Sequence, residues 1–89
     1  MKKVEDYLLF LKSKGFILGE DAIGFIKFGK AYTSASDELV IAAIECTLKI
    51  QQSFDGSFYI SLLEMFMEKN ISSKKQAIRF VEKTQLFPL

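Results

Sequence analysis

The chain has no histidine and no tryptophan, and only one cysteine and one proline. Without histidine, neither a Ser-His-Asp nor a Cys-His nucleophile system can be assembled, and the commonest zinc ligand is missing. A lone cysteine makes neither an intrachain disulfide nor a thiolate metal cluster. Cys46 sits within the apolar stretch Leu39–Ile50, which predicts a small buried core residue rather than a reactive thiol. The five glycines fit neither G-x-G-x-x-G nor the phosphate-cradling P-loop pattern, and Asp55-Gly56 lacks the ordered acids of a calcium loop. Long apolar runs are also missing. The longest uncharged run is the eight residues Gly56–Leu63, well under the roughly 18 of a membrane span. The opening Met1-Lys2-Lys3-Val4-Glu5-Asp6 acquires two acids before any apolar run forms, unlike a signal peptide. The expectation is a cytoplasmic, non-enzymatic protein without cofactor or metal.

What remains is oily for its length. Of the 89 residues 49% are hydrophobic, including nine Phe and three Tyr. A chain this short hides only about 60–65% of its unfolded surface. The excess apolar surface needs a destination. Charge is balanced overall at +1 but divided along the chain. Residues 1–30 carry six Lys against four acids, residues 31–68 one Lys against six acids, and residues 69–89 five bases against one acid. The basic end either touches phosphate or an acidic partner, or offsets the acidic centre within the fold. Eleven of the twelve bases are Lys, which leaves little capacity for bidentate Arg recognition.

Periodicity predicts an all-α domain of four to five short helices, with no repeat and no linker. Val4, Tyr7, Leu8 and Leu11 share a face of a helix from about Lys3 to Lys14, which Gly15 ends. Phe16, Ile17 and Leu18 form an apolar connector expected to tuck under the next element. Glu20 and Asp21 suit a helix N-terminus, but Gly24, Gly29 and the alternation over 22–31 leave a strand as the competing assignment. If the segment is helical, its glycines would permit close helix–helix approach.

Ser36 is the expected N-cap of a central, largely enclosed helix over about 36–53. Glu38, Glu45, Lys49 and Gln52 form its one polar stripe, with Glu45 and Lys49 in the favourable i,i+4 order. After the Asp55-Gly56 turn, Ser57 is expected to cap a helix from Phe58 to about Lys69, apolar over more than half its circumference. Asn70 would end it in left-handed geometry. Ser73-Lys74-Lys75-Gln76 reads as a capping box opening a last helix to about Thr84. The apolar end Gln85-Leu86-Phe87-Pro88-Leu89 is expected to pack back onto the domain.

The carboxylates offer little chemistry. Glu45 is expected to be a solvated ion-pair partner, and the i,i+4 pair Glu64 and Glu68 lacks the Glu-x-x-His complement of a di-metal bundle. The leading expectation is therefore an interaction or regulatory module that forms a homodimer. Its contact surface is expected on the two most apolar helices, at Ile41, Leu48, Leu62, Met65 and Phe66. The alternative is a helix-turn-helix nucleic-acid binder whose last helix presents Lys74, Lys75, Arg79 and Lys83. The string Ser72-Ser73-Lys74-Lys75-Gln76-Ala77-Ile78-Arg79 resembles the start of the second helix in ribbon-helix-helix repressors. The resemblance is short and comes without that family's N-terminal strand, so it implies no activity here. A third possibility is an apolar-ligand carrier with a pocket among Phe25, Phe28, Phe58 and Phe66.

Overall fold

A computed structural model describes residues 3–85. The expected packing of the apolar C-terminal end at 86–89 lies outside the described residues. Five helices and no strands occur among the described residues: α1 Val4–Ser13, α2 Glu20–Thr33, α3 Asp37–Gln51, α4 Gly56–Glu68 and α5 Lys74–Gln85. The all-α expectation of four to five short helices holds.

α3 forms where Ser36 accepts a hydrogen bond from the Leu39 N–H at 3.2 Å, with Asp37 and Glu38 in the positive first turn. It ends at Gln52, which takes the left-handed conformation. Val40, Ala42, Ala43, Ile44 and Cys46 are fully buried, so α3 is the axis of the core. Thr47 is buried as well, and its hydroxyl donates to the Ala43 carbonyl at 2.7 Å. Burial pushes the Cys46 thiol up to about 12, with the nearby Glu45 charge adding to the effect. The thiol stays protonated and unreactive at neutral pH.

α2 is continuous through both of its glycines, and the strand alternative over 22–31 is set aside. Tertiary contact overrides the glycines' low helix propensity at one of them. A methyl group at Gly29 would lie 2.7 Å from Tyr59 Cε2 and 3.1 Å from Leu63 Cδ1, so α2 and α4 lie close together here. The buried Tyr59 hydroxyl crosses the same contact and donates to the Ile26 carbonyl at 2.8 Å. At the start of α4 the Phe25 ring lies over Gly56, within 2.6 Å of where a Cβ would sit. Gly24, in contrast, faces open space. Of the two α2 glycines expected to allow close approach, only Gly29 does.

Two local expectations need correction. α4 begins at Gly56, and its cap is Asp55, whose carboxylate accepts from the Phe58 N–H at 3.0 Å. Ser57 is already inside the first turn. Of the Phe16–Leu18 connector, only Leu18 packs against the core. Phe16 and Ile17 are exposed and Leu18 is half-buried.

α1 and α4 end in the same way. α1 ends in a Schellman turn: the Phe16 N–H donates to the Leu11 carbonyl at 2.8 Å and the Gly15 N–H to Lys12 at 3.0 Å, with Gly15 at φ +92°. α4 ends in the same turn, with Ile71 donating to Phe66 at 2.9 Å, Asn70 to Met67 at 3.2 Å, and Asn70 at φ 56°. In this register Ala22-Ile23, Phe25 and Ile26 match Ala77-Ile78, Phe80 and Val81. Val4, Tyr7, Leu11 and Ile26 match Tyr59, Leu62, Phe66 and Val81, all eight buried. The α1–α2 and α4–α5 segments therefore share a turn and a register of buried positions, with α3 between them in the chain.

Two glycine substitutions in one helix are expected to act in opposite directions. Gly29→Ala should destabilise by about 1–3 kcal/mol, because a hydrogen-bonded, buried Tyr59 must shift. Gly24→Ala should leave stability unchanged or raise it by up to about 1 kcal/mol. Urea denaturation followed by circular dichroism measures both.

Candidate interaction surface

α1 is held by its first residue. The Val4 N–H donates to Asp37 Oδ2 at 2.9 Å, and the other oxygen of that carboxylate pairs with the Lys30 ammonium. One side chain thus ties together the start of α1, the end of α2 and the start of α3. The Lys30 hydrogen bond, then the Val4 N–H, hold the Asp37 carboxyl below its ordinary value of 3.8.

With Val4, Tyr7 and Leu11 turned inward, α1 presents the stripe Glu5, Leu8, Leu9 and Lys12 on a flank at i, i+3, i+4 and i+7 spacing. That stripe, the Phe16–Leu18 connector, and Ile23 and Lys27 of α2 wall a groove of about 480 Å³. Leu8, Leu18 and Ile23 are half-buried and pack on the core. Leu9 and Ile17 stand free at 65% and 76% exposure. On the outer side of α2, Phe28 stacks on Tyr32 with ring centroids 5.5 Å apart, and both rings are exposed.

The residues expected to form the contact surface lie elsewhere. Ile41, Leu62 and Phe66 are buried within the single chain, and Leu48 and Met65 are half-buried against the core. Their wide apolar arcs are consumed internally, because α3 is covered by other helices on several sides and α4 lies against both α2 and α3. Among the described residues the large exposed apolar side chains are on the first helical pair, apart from Met67 of α4. The sequence signal for them was present in Leu9 and Phe28, which the α1 and α2 periodicities do not need inside, and in Ile17 of the connector.

The basic last helix is of mixed charge. Ser73 caps it by accepting from the Gln76 N–H at 3.1 Å, and Gln76 Oε1 reaches back to the Ser72 N–H at 3.0 Å, one residue before the usual capping-box partner. Lys74 pairs with Glu45 at 3.0 Å, and Lys49 reaches the other oxygen of that carboxylate at 3.4 Å. Lys75, Arg79 and Lys83 are exposed, but the hollow beside Lys75 and Arg79 also carries Glu38 and Glu82. A phosphate approaching there would meet both signs of charge.

A polar hollow of about 550 Å³ lies among Tyr7, Ser36, Asp37, Glu38, Ile41, Ser72 and Lys74. Its groups serve the fold. Ser36 caps α3, Asp37 holds α1, Ser72 binds Gln76 and Lys74 meets Glu45. Tyr7, whose phenol is pushed up to about 12 chiefly by burial, stays neutral across the physiological range. The aromatic residues expected to line a ligand pocket are in separate contacts. Phe25 covers Gly56, Phe28 stacks on Tyr32, and the buried Phe66 packs edge-on against Phe80 at 6.3 Å. No group of three or more His, Cys, Asp and Glu gathers as a metal site among the described residues, and none of their helices is long and apolar enough to cross a membrane.

Residues 1–87 match the model of a family of unknown function, DUF6123. The chain belongs to this family. The DUF6123 match runs through all five helices. No curated protein and no solved structure matches the chain.

Asp37 makes a pH dependence part of the surface's support. Its folded pKa lies below the unfolded one, so its stabilisation is complete above the ordinary carboxylate value of 3.8 and is lost as pH falls through the folded value. Asp37→Asn should flatten that acid limb of the stability curve and loosen α1 first. Urea midpoints of both chains at several pH values, with α1 amide exchange alongside, measure the effect; an unchanged acid limb would contradict it.

Proposed function

We propose that this protein is a non-enzymatic cytoplasmic interaction module that self-associates, and that its working surface is the apolar flank of α1, the connector and α2. The observation that carries this is a comparison of the chain with itself. In the register set by the two Schellman turns, Leu9, Ile17 and Phe28 of the first helical pair stand where the second pair has Glu64, Ser72 and Lys83. All six positions are exposed. The second pair therefore closes the same turn with polar residues at the positions where the first keeps Leu, Ile and Phe.

Exposed side chains of this size contribute little to an isolated domain and raise its risk of nonspecific association. Their clustering along the groove and connector favours a covering protein surface. The groove's shape supports the same conclusion, since its floor of Leu8, Leu18 and Ile23 is apolar and its rim of Glu5, Lys12 and Lys27 is charged. An apolar centre with a polar rim is the usual anatomy of a protein contact. Nucleic-acid binding is the weaker alternative, because Lys74 is engaged by Glu45 and acids are interleaved with Lys75 and Arg79.

The direct test copies the second pair onto the first. A chain with Leu9→Glu and Ile17→Ser should keep its circular dichroism and its urea midpoint, with stability within about 0.5 kcal/mol of wild type. Light scattering at micromolar to millimolar concentration should show the wild-type mass rising above 10.1 kDa while the variant stays there. A variant that unfolds would show that the surface serves folding. A variant that associates like wild type would place the contact elsewhere.

A further inference from the structure

Resting on that proposal, a more specific arrangement follows from the order of charges along α1. Glu5, Leu8, Leu9 and Lys12 run as one stripe along the groove, with the acid at the N-terminal end, the base at the C-terminal end, and two leucines between. Such a stripe is complementary to itself when reversed. Laid antiparallel on a second copy, with a two-fold axis passing between Leu8 and Leu9, it sets each Glu5 opposite the other copy's Lys12. It also sets each leucine pair against the other. Laid parallel, the same stripe would face Glu5 with Glu5 and Lys12 with Lys12.

We propose that the occupant of the groove is a second copy of this chain, docked through an antiparallel, two-fold α1–α1 contact whose register is set by two reciprocal Glu5–Lys12 pairs. A two-fold contact uses the same patch on both molecules and closes on itself, so it ends at a dimer. The exposed Leu9 of each copy enters the other's groove toward Leu8 and Ile23. The Ile17 side chains at the connector extend the apolar contact at both ends. Lys27, on the α2 wall, adds a second base at the groove to meet incoming carboxylates. The ion pairs lie at the rim, so they choose orientation and partner more than they add affinity.

The arrangement has a signature that a generic sticky surface lacks. Glu5→Lys gives a stripe with two bases, and Lys12→Glu gives one with two acids. Each variant alone should self-associate roughly tenfold more weakly than wild type at low salt, because both rim contacts become repulsive. Mixed together, the two variants should form a mixed dimer at least as tight as the wild-type dimer, since each base again faces an acid. The double variant Glu5→Lys with Lys12→Glu should recover self-association. Added salt should shrink all of these differences. Sedimentation velocity with one chain fluorescently labelled reads each combination, and circular dichroism confirms that the exposed substitutions leave the fold intact.

Mixing that gives no gain over the separate variants, or a double variant as weak as the single ones, overturns the antiparallel register while leaving self-association through the groove standing. A wild-type chain that remains at 10.1 kDa throughout overturns both, and assigns the groove to a different protein or an apolar ligand.

Discussion

The structure depends on the enclosure of α3. A helix whose Val40, Ala42, Ala43, Ile44 and Cys46 have no solvent contact must be covered on several sides at once. In a chain of 89 residues, only its other helices are available for this. The inner faces of α1, α4 and α5 are therefore committed before any surface is left for a partner. Tyr7 and Leu11, Leu62 and Phe66, and Ala77 and Val81 are the residues so committed. This constraint separates apolar residues that build the core from those left over, and the leftovers lie on the first helical pair.

α2 occupies a less constrained position, and two contacts fix it. Against α4 it lies close because Gly29 has no side chain to hold off Tyr59, whose hydroxyl closes onto the Ile26 carbonyl. At its far end Lys30 and the Val4 N–H share Asp37. These contacts engage the inner face of α2 and leave Phe28, Tyr32 and the Ile17 connector outside. The polar side chains most suggestive of chemistry, Ser36, Asp37, Glu45 and Lys74, are occupied with capping and ion pairing.

Much of the fold was legible in local sequence. Ser36, Gly15, Asn70 and Ser73 are caps whose short-range physics does not depend on tertiary context, and each occurs where its neighbours predict. The helical state of 22–31 was not legible, because Gly29 is unfavourable for a helix until Tyr59 lies against it. The burial of the expected contact residues was missed for a related reason. A helical wheel shows how much of α3 or α4 is apolar but not how many neighbours cover it, so Ile41, Leu62 and Phe66 resembled spare surface while being core. The likeness of the turns at Gly15 and Asn70 was not legible either, because a glycine and an asparagine reach the same left-handed geometry from different side chains.

The central claim is that the first helical pair carries a contact surface that the second, built on the same plan, does not. Amide hydrogen exchange of the intact chain, compared between dilute and concentrated solution at fixed pH and salt, tests it most directly. The account predicts that protection rises with concentration across the Leu8–Lys12 segment and the Phe16–Leu18 connector, while Glu64–Lys69 and Ser72–Lys83 exchange at unchanged rates. Protection that rises equally in both pairs, or only in the second, would contradict it.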